Sequence, residues 1–180
     1  MLFSVATAAT LVSAAAAAAV PRASGNFKVH ARCVGRTDFQ DSPGYLYAEY
    51  AYPPGYYAAL DTNPDNGIVG YTSDPTNPSN SSLIFPESGG YYQGFVLYPL
   101  TQQYPESIAQ IFSGQTGTKG IYVDENGLVQ WQAQDGVPIV WEACPNTPLE
   151  YGTATALKYR WSNTTTSSGC WDAELVAEYQ

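Results

Sequence analysis

WDAELVAEY, residues 171–179, is the stretch that settles the fold class. Trp171, Ala173, Leu175, Ala177 and Tyr179 fall on one side of an extended chain, and Asp172, Glu174 and Glu178 on the other. Successive side chains of a strand point to opposite faces, so this alternation predicts a strand with one face in a core. Upstream, Ala156–Trp161 and Val137–Cys144 read as further strands, with a polar loop at 162–169 (SNTTTSSG). Gly120–Gln132 predicts a hairpin, because Asn126-Gly127 is the pair that a two-residue type I′ turn prefers. That register sets Tyr122 opposite Trp131 and puts apolar residues on both faces of the ribbon.

The rest of the chain repeats the pattern. Phe27–Val34, Gly44–Tyr52, Tyr56–Leu60, Ile68–Thr72, Leu83–Phe85 and Tyr91–Leu100 are strand-like. Pro53-Pro54-Gly55, the Asn-Pro-Asp-Asn-Gly run at 63–67, the polar loop at 73–82 and Ser88-Gly89-Gly90 separate them. Pro105–Phe112 is the best place for one short helical turn. The reading is an all-β chain of about eleven short strands, with turn signals roughly every 8–12 residues, the spacing of a barrel or a sandwich.

Composition agrees. The chain has 15 Tyr, 4 Trp and 6 Phe, with 16 Gly and 13 Pro to punctuate strands. Net charge is −9 with only seven Lys plus Arg, so the basic footprint of a nucleic-acid binder is missing and an anionic membrane would repel the chain. Residues 1–19 are a short, small and apolar run that reads as a signal peptide, although its usual basic start is lacking; 20–180 then form a single all-β domain behind a lead at Pro21–Gly25. An exported chain permits disulfides, and three cysteines, Cys33, Cys144 and Cys170, allow one pair with one thiol over, or an intermolecular link. The chain ends in EYQ without the apolar tail of a lipid-anchor signal, so no membrane tether is expected.

The C-terminal half carries an order of motifs: GIVGYT at 67–72, GIYVDENGLVQWQ at 120–132, ACPN at 143–146, LKYRW at 157–161 and CWDAELVAEY at 170–179. This order resembles the PhiA-type fungal wall proteins and, more distantly, the cysteine-containing C-terminal domain of yeast repeat-bearing wall proteins. The resemblance covers about 80 residues scattered through 67–179; the rest is similar in style only. It implies a compact β-domain retained at or near the wall with no known catalytic role. It also implies a Cys144–Cys170 disulfide, from the order of ACPN and the last cysteine. A Gly-x-apolar-x-apolar pattern recurs at 44, 94 and 120, which suggests a β-trefoil-like barrel and leaves a β-sandwich open.

A glycosidase needs two carboxylates about 5–10 Å apart across a sugar. The candidates are Asp124, Glu125, Asp135, Glu142, Asp172 and Glu174. The first two flank a turn, and Asp172 and Glu174 lie on the outward face of the last strand. Glu142, between Trp141 and Cys144, is the least ordinary, but it is one group and not a pair. His30 has no Gly-x-Ser-x-Gly elbow to serve, and neither it nor the cysteine spacing suggests a metal. No catalytic residue, cofactor or metal is therefore expected. Tyr56, Tyr57, Tyr91, Tyr92 and Tyr104 sit near turns and are the candidate glycan contacts, since a tyrosine face suits a sugar ring. Asn80 and Asn163 begin N-glycosylation sequons in polar loops, whereas Asn77 precedes Pro78. The expected function is a secreted, non-enzymatic wall or cell-surface protein whose partners are wall polysaccharide or wall proteins. The alternative is a secreted glycan-binding module or effector, and a glycoside hydrolase ranks below both.

Overall fold

The computed structural model describes residues 25–35, 43–51, 55–132, 136 and 138–180. The expected signal segment 1–19, nearly all of the lead after it, Tyr52–Pro54, Asp135 and Val137 lie outside the described residues.

Thirteen strands follow in chain order: β1 (Phe27–Cys33), β2 (Gly44–Tyr50), β3 (Gly55–Asp61), β4 (Val69–Thr72), β5 (Leu83–Pro86), β6 (Tyr92–Val96), β7 (Glu106–Ile108), β8 (Gln110–Ser113), β9 (Ile121–Val123), β10 (Val129–Trp131), β11 (Ile139–Leu149), β12 (Gly152–Trp161) and β13 (Trp171–Tyr179). All named pairings are antiparallel. The all-β reading holds. The sheet runs β3-β8-β6-β5-β4-β1-β13-β11-β12 and closes where β12 returns to β3 through Thr155↔Leu60 and Ala156↔Ala59, a ring of nine strands. Closure makes the domain a barrel and sets the sandwich alternative aside, and the described residues hold thirteen strands where about eleven are expected. β2 packs beside β3 and touches β1, and β7 flanks β12.

The alternation read from β13 is the alternation observed. Ala173, Leu175 and Ala177 are buried in the core, and β13 pairs along its length with β1, whose Phe27, Val29 and Ala31 face the same way. Aromatic rings thread this core: Phe85–Phe95 at 6.5 Å, Phe95–Trp141 at 6.1 Å, Trp141–Tyr159 at 6.2 Å and Tyr159–Trp131 at 5.8 Å. Their polar ends are satisfied, since Trp141 Nε1 donates to the Val129 carbonyl at 3.2 Å and the Tyr159 hydroxyl to the Tyr98 carbonyl at 2.8 Å. On the barrel wall, the 114–118 connection crosses β6 at Gly94; a Cβ there would lie 2.2 Å from the Gly117 nitrogen, so only glycine fits.

Two local expectations are corrected. The β9–β10 hairpin does not use a two-residue turn. Val129 pairs with Val123, so Gln130, not Trp131, faces Tyr122, and the loop has one residue more. The cause is Asp124, whose Oδ1 accepts from both Asn126 N and Leu128 N at 2.9 Å, while Gly127 takes φ 80. Ile121, Val123 and Val129 are buried and Tyr122 and Gln130 only half-buried, so one face of the ribbon faces the core. Second, Pro105–Phe112 is not a helical turn. It is strand that changes neighbours: β7 pairs with β12, β8 with β3 and β6, and Ala109 between them donates to the Leu157 carbonyl and accepts from Ala58 N, each at 2.9 Å.

Candidate functional site

Strand register gathers charge on the outer side of β11, β12, β13 and β7. Glu142 lies opposite both Lys158 and Asp172, and Arg160 lies opposite Glu106. Glu142 is fully buried and Arg160 4% exposed, which requires that each be paired. Arg160 Nε donates to Glu142 Oε1 at 2.8 Å and Nη2 to Asp172 Oδ1 at 2.7 Å. Its Nη1 donates to the carbonyls of Trp161 (3.1 Å) and Thr164 (2.6 Å), and Nη2 also to Thr166 Oγ1 (3.2 Å). From the loop side, Ser167 donates its N–H to Glu142 Oε1 at 2.9 Å, and its hydroxyl oxygen lies 2.8 Å from Glu142 Oε2. The same hydroxyl meets Glu106, which also pairs with Lys158 at 3.3 Å. The Ser167 hydroxyl, with Lys158 and Arg160, holds the Glu106 carboxyl below its ordinary range. Burial works against the Arg160 charge, but its hydrogen bonds to the Asp172 and Glu142 carboxylates outweigh it and raise its pKa.

Chemically, this cluster binds the 162–169 loop to the barrel wall. Asp172, read from sequence as a plain outward carboxylate, is one of its members. Glu142 stands out in the sequence by its aromatic neighbours, and Arg160 does not; the signal it offers is an arginine set between Tyr159 and Trp161 in β12. The Cys144–Cys170 disulfide, with Cα atoms 4.2 Å apart, fastens the far end of the same loop. The Glu142 carboxylate lies within 4.8 Å of both sulfurs, the kind of grouping that can hold a metal, but the sulfurs are consumed in the bond. Asn146, the last residue of ACPN, takes φ 52 at the register shift between Cys144 and Thr147. Cys33 stands outside the disulfide. His30 stacks on Tyr45 at 4.6 Å, with Nδ1 3.1 Å from Glu178 Oε1. The Tyr45 hydroxyl donates to Glu178 Oε2 at 2.9 Å, a bond that raises the phenol's pKa.

The candidate glycan tyrosines do not form one surface. Tyr56 and Tyr57 are neighbours on β3 and point to opposite faces; Tyr56 packs against the core, and Tyr57 lies opposite Glu49. Tyr91 and Tyr104 are exposed on connections, and Tyr92 opens β6 opposite Pro86. What does converge is Tyr56 with two tyrosines the sequence did not single out. Tyr50, its β-pair partner, lies at 6.1 Å edge-on, and Tyr151, on the β11–β12 turn, lies 5.3 Å from Tyr50 at 45°. Both sequon asparagines are exposed, but Ser82, the third residue of the Asn80 sequon, is fully buried. A separate groove of about 310 Å³ runs beside β13, walled by Val34, Leu128, Ile139, Trp141 and Leu175 with Glu174 on it. Among the described residues no helix is long and apolar enough to cross a membrane.

No curated protein and no solved structure is matched by this chain. A family model described as a domain of unknown function (DUF7907) matches residues 24–179, a span that takes in all thirteen strands. The chain therefore belongs to the DUF7907 family, and its barrel is the family's domain.

Proposed function

We propose that the protein is exported and acts at the fungal wall or cell surface as a non-catalytic structural or interaction protein. The observation that carries this reading is the commitment of its buried carboxylate: Glu142 is spent on Arg160 and Ser167, and Asp172 on the same arginine, so both brace a loop. The disulfide supports export, because such bonds persist in oxidising compartments. Resemblance to PhiA-type wall proteins supplies the setting. Fractionation tests it: culture medium and purified walls are compared, and walls are extracted with hot detergent with and without reductant. Wall-bound protein released by detergent is the expected result. Protein found only in the medium overturns the wall assignment, and release of reducing sugar from glucan or chitin overturns the non-catalytic one.

A second reading, a glycan-binding module, is favoured by the convergence of Tyr50, Tyr56 and Tyr151 on the surface.

A further inference from the structure

Three chain segments meet at this tyrosine cluster: the end of β2, the start of β3 and the β11–β12 turn. Tyr56 is held by the core and stands edge-on to Tyr50, which fixes the Tyr50 ring. The 45° tilt between Tyr50 and Tyr151 keeps them from closing as a sandwich, and they remain 49% and 60% exposed. We propose that Tyr50, Tyr56 and Tyr151, with the neighbouring Glu150 carboxylate, bind an uncharged polysaccharide. This inference rests on the glycan-binding reading above and gives it a site and a ligand class.

The ligand class follows from the groups present. Flat aromatic faces receive the C–H face of a pyranose ring, and tyrosine loses little rotamer freedom in doing so. The sugar's hydroxyls need donors and acceptors around that face. Three phenols supply both, and the Glu150 carboxylate is a strong acceptor. Desolvation and then Glu150 raise the Tyr151 pKa, so its phenol stays protonated beside that carboxylate. An acyl chain would take the exposed Glu150 carboxylate and the phenols out of water. An acidic polymer would meet Glu150 on a chain of net charge −9. A neutral sugar polymer satisfies the rings and the polar groups together.

The test is calorimetric titration of the purified secreted chain with soluble β-glucan and chitin oligosaccharides, at low and high salt. Variants are Tyr50→Ala, Tyr151→Ala, Tyr151→Phe and, as control, Tyr104→Ala, a ring 65% exposed on another segment. Thermal melts confirm that each variant is folded; Tyr56 is left intact because it packs on the core. Expected are a salt-independent affinity, a loss of about tenfold for each of Tyr50→Ala and Tyr151→Ala, a smaller loss for Tyr151→Phe, and none for Tyr104→Ala. If the wild type binds and the cluster variants bind equally well, the site is wrong while the glycan-binding reading stands. If the wild type binds neither oligosaccharide, both fall. Binding only to an anionic polymer, or self-association abolished by Tyr151→Ala, overturns the proposal in favour of a charged ligand or a contact between copies.

Discussion

Replacing Arg160 with methionine keeps part of the apolar stem and removes the guanidinium, leaving the buried Glu142 carboxyl without its cation. Removing one partner of a buried pair costs about 3–5 kcal/mol. Little is added at Asp172, which is 38% exposed and can turn to water. The Thr164 carbonyl loses its arginine donor as well, at about 1 kcal/mol when it remains buried and less as the loop loosens, whereas the Trp161 carbonyl keeps the Thr164 N–H and hydroxyl. A total of about 4 kcal/mol is expected, a large part of the roughly 5–15 kcal/mol that stabilises a domain. With a urea slope near 2 kcal/mol per molar, the unfolding midpoint should fall by about 2 M. Adding Glu142→Leu to Arg160→Met removes the stranded carboxyl and should restore most of the loss. A midpoint shift below about 0.5 M for the single variant, or a double variant no better than the single, would refute the buried-pair reasoning.

Three further outcomes are expected. Replacing Cys144 and Cys170 together with alanine opens a loop with a separation of 26 residues and should cost about 3.5 kcal/mol in the chain-entropy model, read by denaturation under oxidising conditions; non-reducing peptide mapping that joins Cys33 to either partner would contradict the pairing. Gly94→Ala places a methyl group 2.2 Å from the Gly117 nitrogen and 2.3 Å from the Gln115 carbonyl oxygen, and should lose about 2–3 kcal/mol or more, whereas a loss under about 0.5 kcal/mol would show that the 114–118 connection shifts freely. Glu106 has a folded pKa below its ordinary 4.5, so its contribution is in place above that pH and drains away as pH falls through the folded value; stability measured down through this range should decline, and Glu106→Gln should flatten the decline.

Much of the fold was legible because it depended on local pattern. β13 carries its alternation in nine consecutive residues, and the barrel's turns are written in glycine and proline. The hairpin register was off by one because Asn126-Gly127 dominates a reading by dipeptides, while the deciding group is the Asp124 carboxylate capturing two amides. The β7–β8 stretch lost its period of two at Ala109, where the chain passes from one neighbour to another, and a broken period resembles a helical turn. The sites were harder still. Arg160 meets Glu142 and Asp172 only when three strands align, and Tyr50 meets Tyr151 from a distant part of the chain. Such encounters are properties of register and closure, which no window of sequence contains.

The pairing of β1 with β13 sets a clock on the molecule's birth. Phe27–Cys33 finds its partner, residue for residue, in Ala173–Tyr179, so the first strand made must wait for the last. Until β13 emerges, one side of β1 and one side of β11 stay open, and Cys144 waits for Cys170. Ring closure is therefore an event of the finished chain, and a topology so rich in distant contacts folds slowly, in milliseconds to seconds. Loss of residues 170–180 would thus do more than trim an end. It would leave two strand edges bare and a cysteine unmatched at once, the form most apt to pair with another chain and aggregate.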